Sequence, residues 1–228
     1  MLPEAVLDER AEPGRRVVRL SGIDVCPRWR GRLHLGALVV ALPAAALLYT
    51  RRPSAAVALY VIGLVTLFAI SSAYHLLPVS PTLRRRLRLA DHATIYLFIA
   101  ACYTPFCVVA VKGPAGSVVL GAAWTGALSG AVLKLTRFDH HPVTGAVLYL
   151  ALGWLLIAVL PGVIDRLGTG QLVLLAATGA SYTMGALVLF TRRPDPRPHL
   201  FGYHEIWHAA VVVASACYFV VIWSLPVP

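Results

Sequence analysis

The segment FGYHEIWHAAVVV, residues 201–213, sets His204 and His208 four apart with Glu205 between them. On a helix, side chains at i and i+4 share a face, one turn or about 6 Å of rise apart. Two imidazoles so placed suit a metal ion. Taken literally, HEIWH is the H-E-x-x-H pattern of zinc proteases, in which the Glu is the general base. A second histidine lies in SSAYH, where Ser71 and His75 have the same i,i+4 spacing. A lone carboxylate, Asp91, opens the apolar run DHATIYLFIAACYTPF. If the elements carrying these residues are neighbours, His75, His204, His208 and Asp91 converge. Three histidines plus a water form a recurring open zinc site. Its chemistry is to activate the water and polarise a carbonyl, with a carboxylate to relay the proton.

The elements that must position these residues are membrane spans. Of the 228 residues, 58% are hydrophobic and 13% charged, against about 25% charged in a soluble domain. Apolar stretches of about 20 residues, each enough to cross a hydrocarbon core of roughly 30 Å, recur along the chain. Seven are predicted, at 33–49, 54–77, 89–111, 115–133, 143–160, 171–190 and 204–223, separated by polar or Pro-rich segments. The expected fold is an all-α, seven-transmembrane bundle over residues 33–228, preceded by a cytosolic tail, residues 1–32. That tail has no apolar core of a cleaved signal peptide and carries Glu4, Asp8, Glu9 and Glu12.

A net charge of +10 would point to nucleic acid in a soluble protein. Here it sets topology and meets anionic lipid, and no nucleic-acid partner is expected. With the N-terminus inside, sixteen Lys and Arg fall on the cytoplasmic side. Four fall outside: Arg51, Arg52, Lys112 and Arg166. The positive-inside rule therefore places the N-terminus in the cytoplasm and the C-terminus outside. On this map His34, His75, His92, His140, His141, His199, His204 and His208 all lie on the cytoplasmic side, with Asp91 and Glu205. Polar residues at membrane depth are costly and mark function. Cys26, Cys102, Cys107 and Cys217 form no C-x-x-C pair, so neither a disulfide framework nor a cysteine zinc site is expected.

Blander roles exist for many of these residues. His34, His92, His140, His141 and His199 read as interfacial or satisfied polar groups at helix ends. Asp91 at the start of span three could cap that helix. The RRRLR run at 84–88 reads as a topology anchor, and Trp29, Tyr49, Tyr203 and Trp223 as interfacial aromatics. Gly126 and Gly130 in GALSG form a small-xxx-small pattern for packing within the bundle. Pro105 should kink span three, with Thr104 on hand for a freed carbonyl.

At SSAYHLL, DHATIYLFIAACYTPF and FGYHEIWH the chain resembles the hemolysin III family, the bacterial branch of the progestin and adipoQ receptor (PAQR) proteins. The matching elements are S-x-x-x-H (Ser71, His75), D-x-x-x-I with a following T-P (Asp91, Ile95, Pro105) and a terminal H-x-x-x-H (His204, His208). The likeness extends over all seven spans. One departure stands out: many relatives carry a Glu and an Asn upstream of the first-span histidine, whereas PRWRGRLH has neither and keeps only His34. The resemblance implies zinc held by His75, His204 and His208 near the cytoplasmic leaflet, with Asp91 holding the zinc water and Ser71 nearby. It makes Asp91 a better base than Glu205, against the intramembrane-protease reading of HEIWH. The expected activity is zinc-dependent hydrolysis of a membrane lipid amide or ester in the cell membrane. The alternative is a non-enzymatic receptor-like, pore-forming or membrane-homeostasis protein with structural zinc.

Overall fold

The computed structural model describes residues 18–20, 23–25, 27–111, 113–136 and 142–225. His140, His141 and Cys26 lie outside them, as does most of the expected tail. Six helices are long and apolar enough to cross a membrane: α1 (Arg32–Arg51), α2 (Ala55–Leu76), α3 (Pro81–Val109), α4 (Pro114–Thr136), α7 (Thr169–Thr191) and α8 (Tyr203–Ser224). Between α4 and α7 the chain runs through α5 (Pro142–Trp154), a 3₁₀ turn at Leu155–Ala158, α6 (Leu160–Val163) and a second 3₁₀ turn at Ile164–Arg166. The segments Val147–Ala158 and Leu160–Arg166 meet at 43°, the geometry of a broken span or a re-entrant loop. Counted as one span, they bring the described crossings from six to the seven expected. A hairpin of β1 (Val18–Leu20) and β2 (Ile23–Val25) precedes the bundle; every other regular element among the described residues is helical.

The predicted boundaries hold within about three residues except at two places, and each exception has a local cause. Span three starts at Pro81, not residue 89. Ser80 caps it, its hydroxyl accepting from the Leu83 N–H at 3.4 Å, with Pro81 at the first helical position; Ser then Pro is a strong start signal. At 29 residues α3 is about 43 Å long, so its first turns extend past a hydrocarbon core and carry the RRRLR arginines. Arg84 also binds the end of α2, donating to the carbonyls of Tyr74 (3.2 Å) and Leu77 (3.1 Å). Asp91 is therefore almost three turns inside α3, which overturns its reading as a cap. The second exception is span five, which passes into a 3₁₀ turn after Trp154 and bends just ahead of Pro161, a first-turn residue of α6 with no N–H to bond back to the preceding segment. The Tyr103 hydroxyl sits 2.9 Å and 3.0 Å from the carbonyl oxygens of Leu152 and Gly153 near that break, as backbone freed at membrane depth requires.

Around the bundle, consecutive helices α1 to α4 pack pairwise, α5 joins α4 to α7, α7 pairs with α8, and α8 returns to α1. The small-residue face of α4 packs inward: a Cβ on Gly130 would stand 2.6 Å from the Tyr96 ring. Pro105 lies within a continuous α3, and the Thr104 hydroxyl bonds the Ala100 carbonyl at 2.9 Å. The expected recipient, the carbonyl freed by Pro105, belongs to Ala101, since proline removes the i to i−4 bond. Val40, Ile62, Val118 and Val173 are each more than 60% exposed. Apolar side chains turned outward on every side belong to a lipid-facing surface, and the protein is a multi-pass membrane protein.

Candidate metal centre

Three helix ends meet at one end of the bundle: the start of α1, the end of α2 and the start of α8, with α3 alongside. They bring together His75, His204 and His208, which each offer one ring nitrogen within 4.8 Å of the others. The Nε2 atoms of His75 and His204 stand 3.3 Å apart. Ring centroids are 5.0 Å apart for His75 with His204, 5.0 Å for His75 with His208, and 4.6 Å for His204 with His208. Two imidazole nitrogens on a tetrahedral zinc, each about 2.05 Å from it, stand about 3.3 Å apart. The donor set fits a three-histidine zinc site, with the His75–His204 pair at this separation and the third nitrogen within 4.8 Å of both. Among the described residues, no other group of three or more His, Cys, Asp or Glu could hold a metal.

Ser71 lies one turn before His75 on α2, buried to 2% exposure. Its hydroxyl faces the Asp91 carboxylate across the α2–α3 interface. Asp91 is not part of the metal-sized cluster but reaches the face of α2 that carries His75.

Glu205 is committed elsewhere. One carboxylate oxygen accepts from Arg30 Nε at 2.6 Å and the other from the Gly202 N–H at 2.8 Å. Both partners are buried, Arg30 to 7% and Glu205 to 1% exposure. Glu205 thus closes the first turn of α8 and anchors Arg30, an arrangement unlike the base of H-E-x-x-H.

The structure also brings in residues that the sequence left aside. His34, expected to be interfacial, is 3% exposed and stacked on His208 with ring centroids 3.9 Å apart and planes 9° from parallel. Its other side meets Phe68 edge-on at 5.2 Å. Neither of its ring nitrogens has a hydrogen-bond partner. Gly31 has φ +76°, and a Cβ there would lie 2.6 Å from the Cβ of His75, so only glycine fits. Arg30 pairs across 175 residues, a separation no local pattern announces. Glu205 was legible: an acid at the third position after a glycine N-cap is a capping signal. His92 is half-buried and His199 exposed, and neither joins the cluster.

Below the histidines an apolar cavity of about 560 Å³ runs between α3, the bent crossing, α7 and α8. Its near end reaches Leu67, Ile95 and Trp207, which are respectively one turn from Ser71, one turn from Asp91 and adjacent to His208. Its far end reaches Tyr103 and Tyr218. From Trp207 to Tyr218 along α8 is about 16 Å.

Comparison with known proteins identifies the family. A family model described as "Haemolysin-III related" matches residues 26–219. Hemolysin-3 of Bacillus cereus is 29% identical over 196 residues, covering 85% of this chain and 86% of its own. The Hemolysin-3 homolog of Bacillus subtilis (strain 168) is 31% identical over 144 residues, 62% of this chain and 65% of its own. The human monocyte to macrophage differentiation factor is 27% identical over 170 residues, 73% of this chain and 68% of its own. With most of its length matched by the family model, the chain belongs to the haemolysin III (PAQR-type) family of membrane proteins.

Proposed function

We propose that this protein is a zinc-dependent membrane hydrolase acting on a lipid amide or ester. The reading rests on three grouped imidazoles and an Asp91–Ser71 pair, with His208, Asp91 and Ser71 within one turn of residues that line a long apolar cavity. His75, His204 and His208 would hold the ion. When bound, zinc would supply a water of pKa about 7 and polarise the scissile carbonyl. Asp91 orients the attacking water and takes its proton at the carboxylate, then returns it to the leaving amine or alcohol. The Ser71 hydroxyl fixes the Asp91 carboxylate and is placed to donate to the developing oxyanion. Leu67, Ile95, Trp207 and the apolar wall beyond them take the acyl chain and exclude water from its path. A cavity of this size and lining falls within the range of ligand sites, generally about 300–1,000 Å³. The positive-inside charge asymmetry supports a site toward the cytoplasmic leaflet of the cell membrane.

The test is lipid profiling with purified protein, with and without zinc. Zinc-dependent release of fatty acid from an amide- or ester-linked lipid supports the hydrolase. No turnover across broad lipid pools, with zinc tightly held, would overturn it. That result would favour a non-enzymatic receptor-like or pore-forming protein with structural zinc, a reading that the haemolysin names of the bacterial relatives also suggest.

A further inference from the structure

Helix α8 packs extensively on α7 and only lightly on α1, whereas α2 packs on α1 and α3. The histidines of α8 and the histidine of α2 therefore come from helices whose backbones share little direct packing. Something else must set their separation, because a three-nitrogen site tolerates errors of only a few tenths of an ångström in ligand distance.

Three consecutive residues before α1 span that gap. The Trp29 N–H donates to the Leu200 carbonyl at 3.3 Å, just ahead of α8. Arg30 Nε donates to Glu205 Oε1 at 2.6 Å, between the two α8 histidines. Gly31 turns with φ +76° directly onto His75. The segment thus grips α8 with one residue and α2 with the next. Its grip on α8 is a charge pair buried on both sides, which is costly to break singly because the surviving charge is left without a partner.

We propose that Arg30 and Glu205 are positioning residues for the metal centre: their buried ion pair clasps the segment before α1 to the first turn of α8 and holds His204 and His208 against His75. The inference rests on the zinc reading above and adds the part of the molecule that sets the site's geometry. Arg30 and Glu205 touch neither metal nor substrate; they act through the histidines. Outer groups that fix metal-binding histidines contribute about 10- to 100-fold in metal affinity.

The experiment measures zinc affinity by chelator competition on detergent-purified protein, with thermal stability recorded in parallel. Glu205→Gln removes the charge but keeps an acceptor for the Gly202 N–H, since Gln also serves in a capping box. Arg30→Gln removes the other partner. Each should raise the zinc dissociation constant about 10- to 100-fold, and the double variant should be no weaker than the weaker single, because the two act as one unit. Gly31→Ala, which leaves both charges in place, should weaken zinc by pressing on His75. Should Arg30→Gln not fold, Arg30→Lys keeps the charge but not the Nε–H donor and should weaken zinc as well. Lowered stability with zinc affinity within about twofold of wild type in the single variants would make the pair merely structural and overturn the proposal. Single losses that multiply in the double variant would overturn it too. A wild type that takes up no zinc would instead defeat the metal reading itself.

Discussion

Replacing Asp91 by Asn removes a negative charge and leaves nearly the same shape. The amide oxygen of Asn can still accept from the Ser71 hydroxyl that faces the carboxylate, so the α2–α3 contact persists. Asp91 lies outside the cluster of His75, His204 and His208, so zinc content should stay at the wild-type level. What is lost is the proton acceptor. A positioned general base contributes about 10² to 10⁴ in rate, or about 3 to 5 kcal/mol of barrier. The assay is zinc-saturated hydrolysis of the active lipid, with metal content measured on the same samples. Glu205→Gln is the companion variant. Its oxygens bind Arg30 and Gly202, so once its weaker zinc affinity is overcome with excess metal it should retain most of its activity. Full activity in Asp91→Asn, or abolished activity in zinc-saturated Glu205→Gln, would refute the assignment and favour the protease-like geometry.

Four further outcomes follow from the same geometry. His75→Ala or His208→Ala should each remove most of the zinc, read by elemental analysis, because a three-nitrogen site loses a third of its donors. Cys102→Ser, Cys107→Ser and Cys217→Ser should leave zinc content unchanged, since no cysteine belongs to the cluster. Gly179 lines the cavity, and a side chain there meets nothing within 4 Å at its first carbon; Gly179→Leu should cut hydrolysis of long-chain substrates while zinc stays bound. A reporter fused to the C-terminus should be active only outside the cytoplasm, and cytoplasmic activity would invert the topology.

The spans were legible in the sequence because the bilayer imposes one demand on every crossing: about 20 apolar residues with their backbone bonds closed internally. That demand is local, so composition alone located six of the crossings and the general extent of the seventh. It failed where local chemistry competes with apolarity. Ser80 and Pro81 start α3 early despite the charged run behind them, and the fifth crossing bends just ahead of Pro161. The grouping of His75, His204 and His208 was anticipated from i,i+4 spacing and from their common side of the membrane, both of which are one-dimensional properties. Ring closure of the bundle decided the rest. Packing of α1 against α8 puts His34 on His208 and delivers Arg30 to Glu205 across 175 residues, contacts that depend on which helices become neighbours and on their rotation. The cavity likewise belongs to no single segment, since its walls come from α3, the bent crossing, α7 and α8. Sequence supplied the polar groups and the depth at which each resides; the tertiary structure alone decided which face one another, because burying a charge or an imidazole ring in a bundle is tolerable only where a specific partner packs against it.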